Sequence, residues 1–160
     1  MKKLYILCGI PGSGKSTWAK QQKNAKVISR DDIRFNLIKD DEEYFAHETE
    51  VYVEFVKRIK EAIYSRDISY DIVIADATHL NKFSRTKLLR HLFDDMFISE
   101  TTLINSDLPI YFCYFNLPLE TCIERNNKRT GRAKVPEKTI KEMYRTLSPP
   151  PSELIAYTTF

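Results

Sequence analysis

Between a short apolar run at residues 3–8 and a helical stretch starting at Lys15, the chain reads GIPGSGKS, residues 9–16. This is the G-x-x-x-x-G-K-[ST] pattern, set in the strand–loop–helix context that gives it meaning. The whole chain has 4 glycines, and Gly9, Gly12 and Gly14 all fall here. Glycine takes backbone conformations closed to other residues, so successive N–H groups can point at one anion. The helix that follows turns its positive end to the same anion. Lys15 is placed to reach the β- and γ-phosphates of ATP, and the Ser16 hydroxyl to take Mg²⁺. From average residue usage, a chance match in such a chain is roughly one in a hundred. The expected ATP-phosphate site is therefore Gly9, Pro11, Gly12, Ser13, Gly14, Lys15, Ser16 and Thr17.

Short apolar runs alternate with longer periodic ones along the chain. Strands are expected at residues 3–8, 26–29, 71–75, 110–115 and 155–160. Helices are expected at 15–22, 32–38, 47–66, 82–97, 119–128 and 136–147. Ser29 is a candidate cap for the second helix, with Asp32 three residues on. Val51, Phe55, Ile59 and Ile63 line one face of the third. Strands that alternate with helices and are apolar on both faces predict a parallel sheet covered by helices. The expected fold is α/β, a P-loop three-layer αβα sandwich with about five mostly parallel strands. One domain spans 1–160, with a helical lid near 125–136.

In such sheets, ligands bind outside the carboxyl ends of the strands. The chemically loaded clusters obey that rule. Residues 9–16 follow the first strand, Arg30 to Asp32 the second, and Asp76 to Thr78 the third. The segment SRDDIR, 29–34, speaks for a hydroxyl acceptor. An attacking hydroxyl must lose a proton, and Asp31 or Asp32 is placed to take it. Arg34 lies one helical turn after Asp31 and can grip an acceptor phosphate bidentately. Without the phosphate loop, two acids near a helix start and an Asp31–Arg34 surface pair would be the better explanation of this segment. Asp76 ends an apolar strand, where a carboxylate for the metal or its waters belongs. Thr78, His79 and Asn81 follow as potential acceptor or water contacts. An isolated histidine is more often a surface residue than a catalyst, so His79 is given no role.

Arg125, Lys128, Arg129, Arg132 and Lys134 form a basic segment without an intervening acid. Arginines stabilise the charge spread over a phosphoryl group in flight. The glycine-containing stretch 130–134 between two helices has the features of a closing lid. Closure would carry Arg125, Arg129 or Arg132 onto ATP. The net charge of +3 is too small to imply nucleic acid by itself. Three cysteines, Cys8, Cys113 and Cys122, fit neither a disulfide framework nor a metal site, which points to a reducing cytoplasm. No apolar run is long enough to span a bilayer, so no membrane partner is expected. No obligate protein partner can be inferred.

Taken together, MKKLYILCGIPGSGKSTWA, SRDDIR, THLN with nearby Arg85, FNLPLETCIERNNKRTGRAKVP and the helix with Met143 and Tyr144 resemble the kinase domain of phage-type polynucleotide 5′-hydroxyl kinases. The pieces run in the same order over nearly the whole chain. The resemblance implies ATP-dependent transfer to the 5′-hydroxyl of a DNA or RNA end. By it, Asp31 is the general base and Arg34 binds the phosphate on the acceptor's 3′ side. Lys15, Ser16 and Arg129 serve the ATP phosphates, and Thr78 contacts the acceptor. Asp32 is grouped with the acceptor contacts, and Asp76 with the metal. Two departures stand out. One extra residue near Thr130 and Gly131 makes Arg129 and Arg132 compete for one role. Asp76 sits one place earlier relative to Thr78 than in the phage pattern. No phosphatase domain follows, so repair of 3′ ends is not expected from this chain. The competing readings are a kinase for a nucleoside, sugar or antibiotic, and a nucleotide-binding switch without transfer chemistry.

Overall fold

The computed structural model describes residues 2–93 and 108–159. The strands are β1 (Lys3–Cys8), β2 (Ala25–Ser29), β3 (Ile72–Asp76), β4 (Ile110–Phe115) and β5 (Ile155–Thr159). The helices are α1 (Lys15–Lys20), α2 (Arg30–Leu37), α3 (Glu48–Tyr64), α4 (Lys82–Phe93), α5 (Leu119–Asn127) and α6 (Glu137–Thr146). Every expected element within the described residues is present. The expected extension of α4 to residue 97 and most of the connection 99–109 lie outside them. Two ends moved. α2 starts at Arg30 because Ser29, in extended conformation, caps it, its hydroxyl accepting from the Asp32 amide at 3.2 Å. β3 runs one residue further than expected, so Asp76 is its last member.

The five strands form one sheet in the order β2-β3-β1-β4-β5. All four pairings are parallel. Parallel neighbours need crossover connections, and the helices that supply them cover both faces. Leu4, Ile6, Val73, Ala75 and Phe112 point to one face and pack with Val51, Phe55 and Ile59 of α3 and Leu88 and Leu89 of α4. Leu7, Ile74, Cys113 and Phe115 point to the other and pack with Ala19 and Trp18 of α1. A third cluster of Ile10, Cys122 and Ile140 ties α5 and α6 to the phosphate loop. Cys8, Cys113 and Cys122 are buried and unbridged.

The periodic face of α3 is buried as its spacing implied, and Phe55 is 0% exposed. It stacks on the ring of His79, centroids 6.0 Å apart. Truncating it leaves a cavity that helix and sheet cannot both close. Phe55→Ala should cost about 3–5 kcal/mol of unfolding free energy, read as a lower urea midpoint with an unchanged slope.

Candidate active site

Parallel pairing puts the carboxyl ends of β1, β2 and β3 side by side, and a cavity of about 170 Å³ opens there. Its floor is the phosphate loop. Gly12 and Gly14 have φ of 83° and 90°, the left-handed region that only glycine enters freely. At Gly12 the demand is also steric. A Cβ there would stand 2.4 Å from the Cys122 carbonyl oxygen of α5. Lys15 is buried and donates from Nζ to the Ile10 carbonyl at 3.0 Å. Ser16 donates from Oγ to Asp76 Oδ2 at 2.8 Å. Burial lowers the Lys15 pKa against the pull of Asp76 and Asp31. Burial likewise raises the Asp76 pKa against the pull of Lys15 and Ser16. The site thus carries charge at a cost that a bound anion and its counterion would relieve.

The opposite wall comes from α2 and the start of α3. Asp31 lines the cavity, and its side chain is 55% exposed. Its Oδ1 accepts from Arg34 Nη1 and from the Tyr44 hydroxyl. Arg34 is only 5% exposed. It donates to Glu48 from Nε at 3.0 Å and from Nη2 at 2.6 Å. Its Nη1 also reaches the Tyr44 oxygen at 2.7 Å. The guanidinium stacks under the Tyr44 ring at 4.3 Å. Burial works against the Arg34 charge, and Glu48, Tyr44 and Asp31 outweigh it, so the pKa rises. Burial and the Asp31 carboxylate keep the Tyr44 hydroxyl firmly protonated.

The structure brings Pro11, Gly12, Gly14, Lys15, Ser16, Thr17, Asp31, Arg34, Asp76, Thr78 and Arg129 to one cavity. Thr78 also fixes the loop, its carbonyl accepting from the Gly9 amide at 2.9 Å. Gly9 itself packs under Phe115. Ser13 and Arg125 lie beside the loop in an adjoining cleft of about 740 Å³, lined also by Trp18, Tyr157 and Arg129. Asp32 is exposed and lines neither space; its contribution is the amide that meets the Ser29 cap. Arg132 is turned away from the loop. It donates to the Ile38 carbonyl at 3.2 Å and lies 5.3 Å from the Phe35 ring centroid. The expected lid is an open turn between α5 and α6 with a single 3₁₀ turn at Gly131–Ala133. Asn126 closes its base, donating to the Val135 carbonyl at 2.6 Å and accepting from its amide at 2.9 Å.

Glu48, Tyr44 and Asn126 were missed by sequence reasoning, and Arg30, part of the cluster after the second strand, was given no role of its own. Glu48 lies 14 residues from Arg34 with a loop between them, so no helical spacing connects the pair. His79 is a correction. It is buried, not a surface residue, and its Nδ1 is 2.6 Å from the Leu7 carbonyl. A carbonyl only accepts, so Nδ1 carries the proton. Among the described residues, no three His, Cys, Asp or Glu side chains cluster to hold a metal. Magnesium is ordinarily held by one or two carboxylates together with substrate phosphates, and the Ser16–Asp76 oxygen pair fits that mode. No helix among the described residues is long and apolar enough to cross a membrane.

A glycine-rich loop between β1 and α1, at the carboxyl edge of a parallel sheet, defines a P-loop nucleotide-binding domain. The model of a family described as an AAA domain matches residues 4–150, and the chain belongs to that family. It is similar to a protein of Autographa californica nuclear polyhedrosis virus named as a bifunctional polynucleotide kinase/RNA ligase. The two are 28% identical over 154 residues, which is 90% of this chain and 20% of the viral protein. A chain in the solved Pnkp1/Rnl/Hen1 RNA repair complex superposes with a TM-score of 0.67 at 27% identity, covering 91% of this chain and 44% of that one. A sugar kinase from Janibacter sp. superposes with a TM-score of 0.58 at 16% identity, covering 99% of this chain and 85% of that one, and shows the shared fold. The chain thus spans a fifth of the viral relative and less than half of the repair-complex chain.

Burial pushes the His79 pKa from its ordinary 6.5 down to about 4. Between those values the unfolded chain takes up a proton that the folded chain refuses. The contribution of His79 to stability is therefore fully present above pH 6.5 and is lost as pH drops towards 4. His79 has φ of 38°, which asparagine also tolerates. In urea titrations, the stability of wild type relative to His79→Asn should shrink by about 2 kcal/mol between pH 7 and pH 4.5.

Proposed function

We propose that this chain transfers the γ-phosphate of ATP to a hydroxyl acceptor, and that the acceptor is the 5′-hydroxyl of a DNA or RNA end. The observation that carries the reading is the shared cavity: Lys15, Ser16 and Asp76 on one side, the Asp31 carboxylate on the other. The ATP phosphates lie over the loop, gripped by its amides, Lys15 and Arg129. The nucleoside extends into the adjoining cleft beside Trp18 and Arg125. Arg132 is the weaker of the two competing lid arginines, since it is already engaged at the end of α2. When bound between Ser16 and Asp76, Mg²⁺ would neutralise charge on the β- and γ-phosphates. Asp31 accepts the proton of the acceptor hydroxyl as its oxygen bonds to the γ-phosphorus and the bond to the β-phosphate oxygen breaks. Arg34, held by Glu48, turns its Nη1 edge to the acceptor side, and Thr78 borders the same space.

The polynucleotide acceptor is supported by the viral relative and the repair-complex chain, both of which exceed 25% identity. One observation favours a small acceptor instead: the cavity is confined, with Tyr44 and Phe45 on its acceptor wall.

The test is transfer from γ-labelled ATP to 5′-hydroxyl oligonucleotides, mononucleotides, nucleosides and sugars in parallel. Label should enter oligonucleotides. Asp31→Asn should lower kcat by roughly 10²–10⁴-fold. Lys15→Ala should abolish turnover while the far-UV circular dichroism stays that of wild type. Label entering only nucleosides or sugars would contradict the polynucleotide reading. Full activity in Asp31→Asn would contradict the general base.

A further inference from the structure

The acceptor wall of the cavity does not end at Arg34. Arg30 lines the cavity too. It donates to Glu48 at 2.5 Å and sits 5.2 Å from the centroid of the Tyr52 ring. Its Nε is buried without a partner among the described residues. Tyr52 lies one turn after Glu48 on α3, so the two share a face. Two groups from α4 meet the same ring. Lys87 Nζ is 4.7 Å from its centroid. His91 Nδ1 is 2.7 Å from its hydroxyl. Lys87 and His91 are both exposed and one turn apart. Phe83, one turn before Lys87, is 78% exposed. No aspartate or glutamate occurs in Lys82–Phe93.

A basic helix face is ordinarily just solvated surface. Two features set this one apart. The cations converge on an aromatic ring, and the row they form begins inside the cavity at Arg30. The carboxylate within reach, Glu48, is already shared by Arg30 and Arg34. A small acceptor has no use for such a row. A strand does, because it carries a phosphate for roughly every 3.4 Å of stacked rise. Beyond its terminal nucleotide it must leave the cavity across a neighbouring surface.

We propose that Arg30, Tyr52, Lys87 and His91 form an extended subsite for the acceptor strand, on the 3′ side of the nucleotide being phosphorylated. The inference rests on the polynucleotide reading above. Arg30 and Lys87 meet successive backbone phosphates. Tyr52 holds the two cations in place, and the exposed Phe83 ring offers a base a stacking surface. The contacts read the backbone, so DNA and RNA strands both engage them.

The experiment compares wild type, Lys87→Glu and His91→Ala on acceptors of three lengths. These are a nucleoside 3′-monophosphate, a dinucleotide with a 3′-phosphate, and DNA and RNA oligonucleotides of about ten residues. In wild type, KM should fall as the acceptor lengthens. Lys87→Glu should raise KM for the oligonucleotides roughly tenfold more than for the monophosphate. The slope of log KM against log salt for the oligonucleotides should become shallower by about one. His91→Ala should act in the same direction and less strongly. Equal effects on every acceptor, or none, overturn the extended subsite and leave the acceptor reading standing. If wild type labels none of the nucleotides, both fall together.

Discussion

The register of β2 against β3 is the constraint on which the site depends. Ser29 stands directly opposite Asp76 in that pairing. Ser29 caps α2 and so fixes where Asp31 emerges, while Asp76 receives the Ser16 hydroxyl. One backbone ladder therefore sets the distance between the carboxylate proposed as base and the loop proposed to hold ATP. A slip by one residue would turn Asp76 to the other face of the sheet and leave Ser16 without its acceptor. The apolar faces prevent that slip. Val73 and Ala75 are fully buried against α3 and α4, and Ile74 against the opposite layer.

Charge inside the cavity is arranged in pairs that each hold something in place. Lys15 rests on a loop carbonyl, and Asp76 rests on Ser16. Glu48 is the counterweight for Arg34 and Arg30 together. Burial alone would raise that carboxylate's pKa, and the two guanidiniums outweigh it and bring the pKa below its ordinary value. With two of its nitrogens committed to Glu48, Arg34 points the third at Asp31 and Tyr44. Asp31 is thus ion-paired, but the pair borders the cavity and is not sealed off by packed side chains. In the proposed reaction, the acceptor hydroxyl takes over the place on Asp31 that the Tyr44 hydroxyl holds here.

What could be read in the sequence was what is encoded locally. The phosphate loop, the Ser29 cap and the buried face of α3 each depend on residues a few positions apart. The alternation of apolar runs was enough to place five strands and the carboxyl edge of their sheet. The rest depends on residues that meet only after the chain crosses over. Glu48 reaches Arg34 across the 38–47 loop, and Arg132 reaches the Ile38 carbonyl from 94 residues away. Composition made Arg125, Arg129 and Arg132 equivalent; the fold separates them, because the turn after α5 points Arg132 across to α2. His79 misled for a related reason. A polar residue after a strand reads as surface, whereas this one turns inward to satisfy the Leu7 carbonyl under Phe55.

In the proposed reaction, Asp31 faces the terminal phosphate with room for an alcohol between them. A crystal structure with a non-hydrolysable ATP analogue, Mg²⁺ and a short 5′-hydroxyl oligonucleotide tests it directly. The terminal oxygen should lie within hydrogen-bond reach of the Asp31 carboxylate, about 2.6–3.2 Å, and in line with the γ-phosphorus. An oligonucleotide end bound elsewhere, with Asp31 still locked to Arg34 and Tyr44 and turned from the nucleotide, would contradict it.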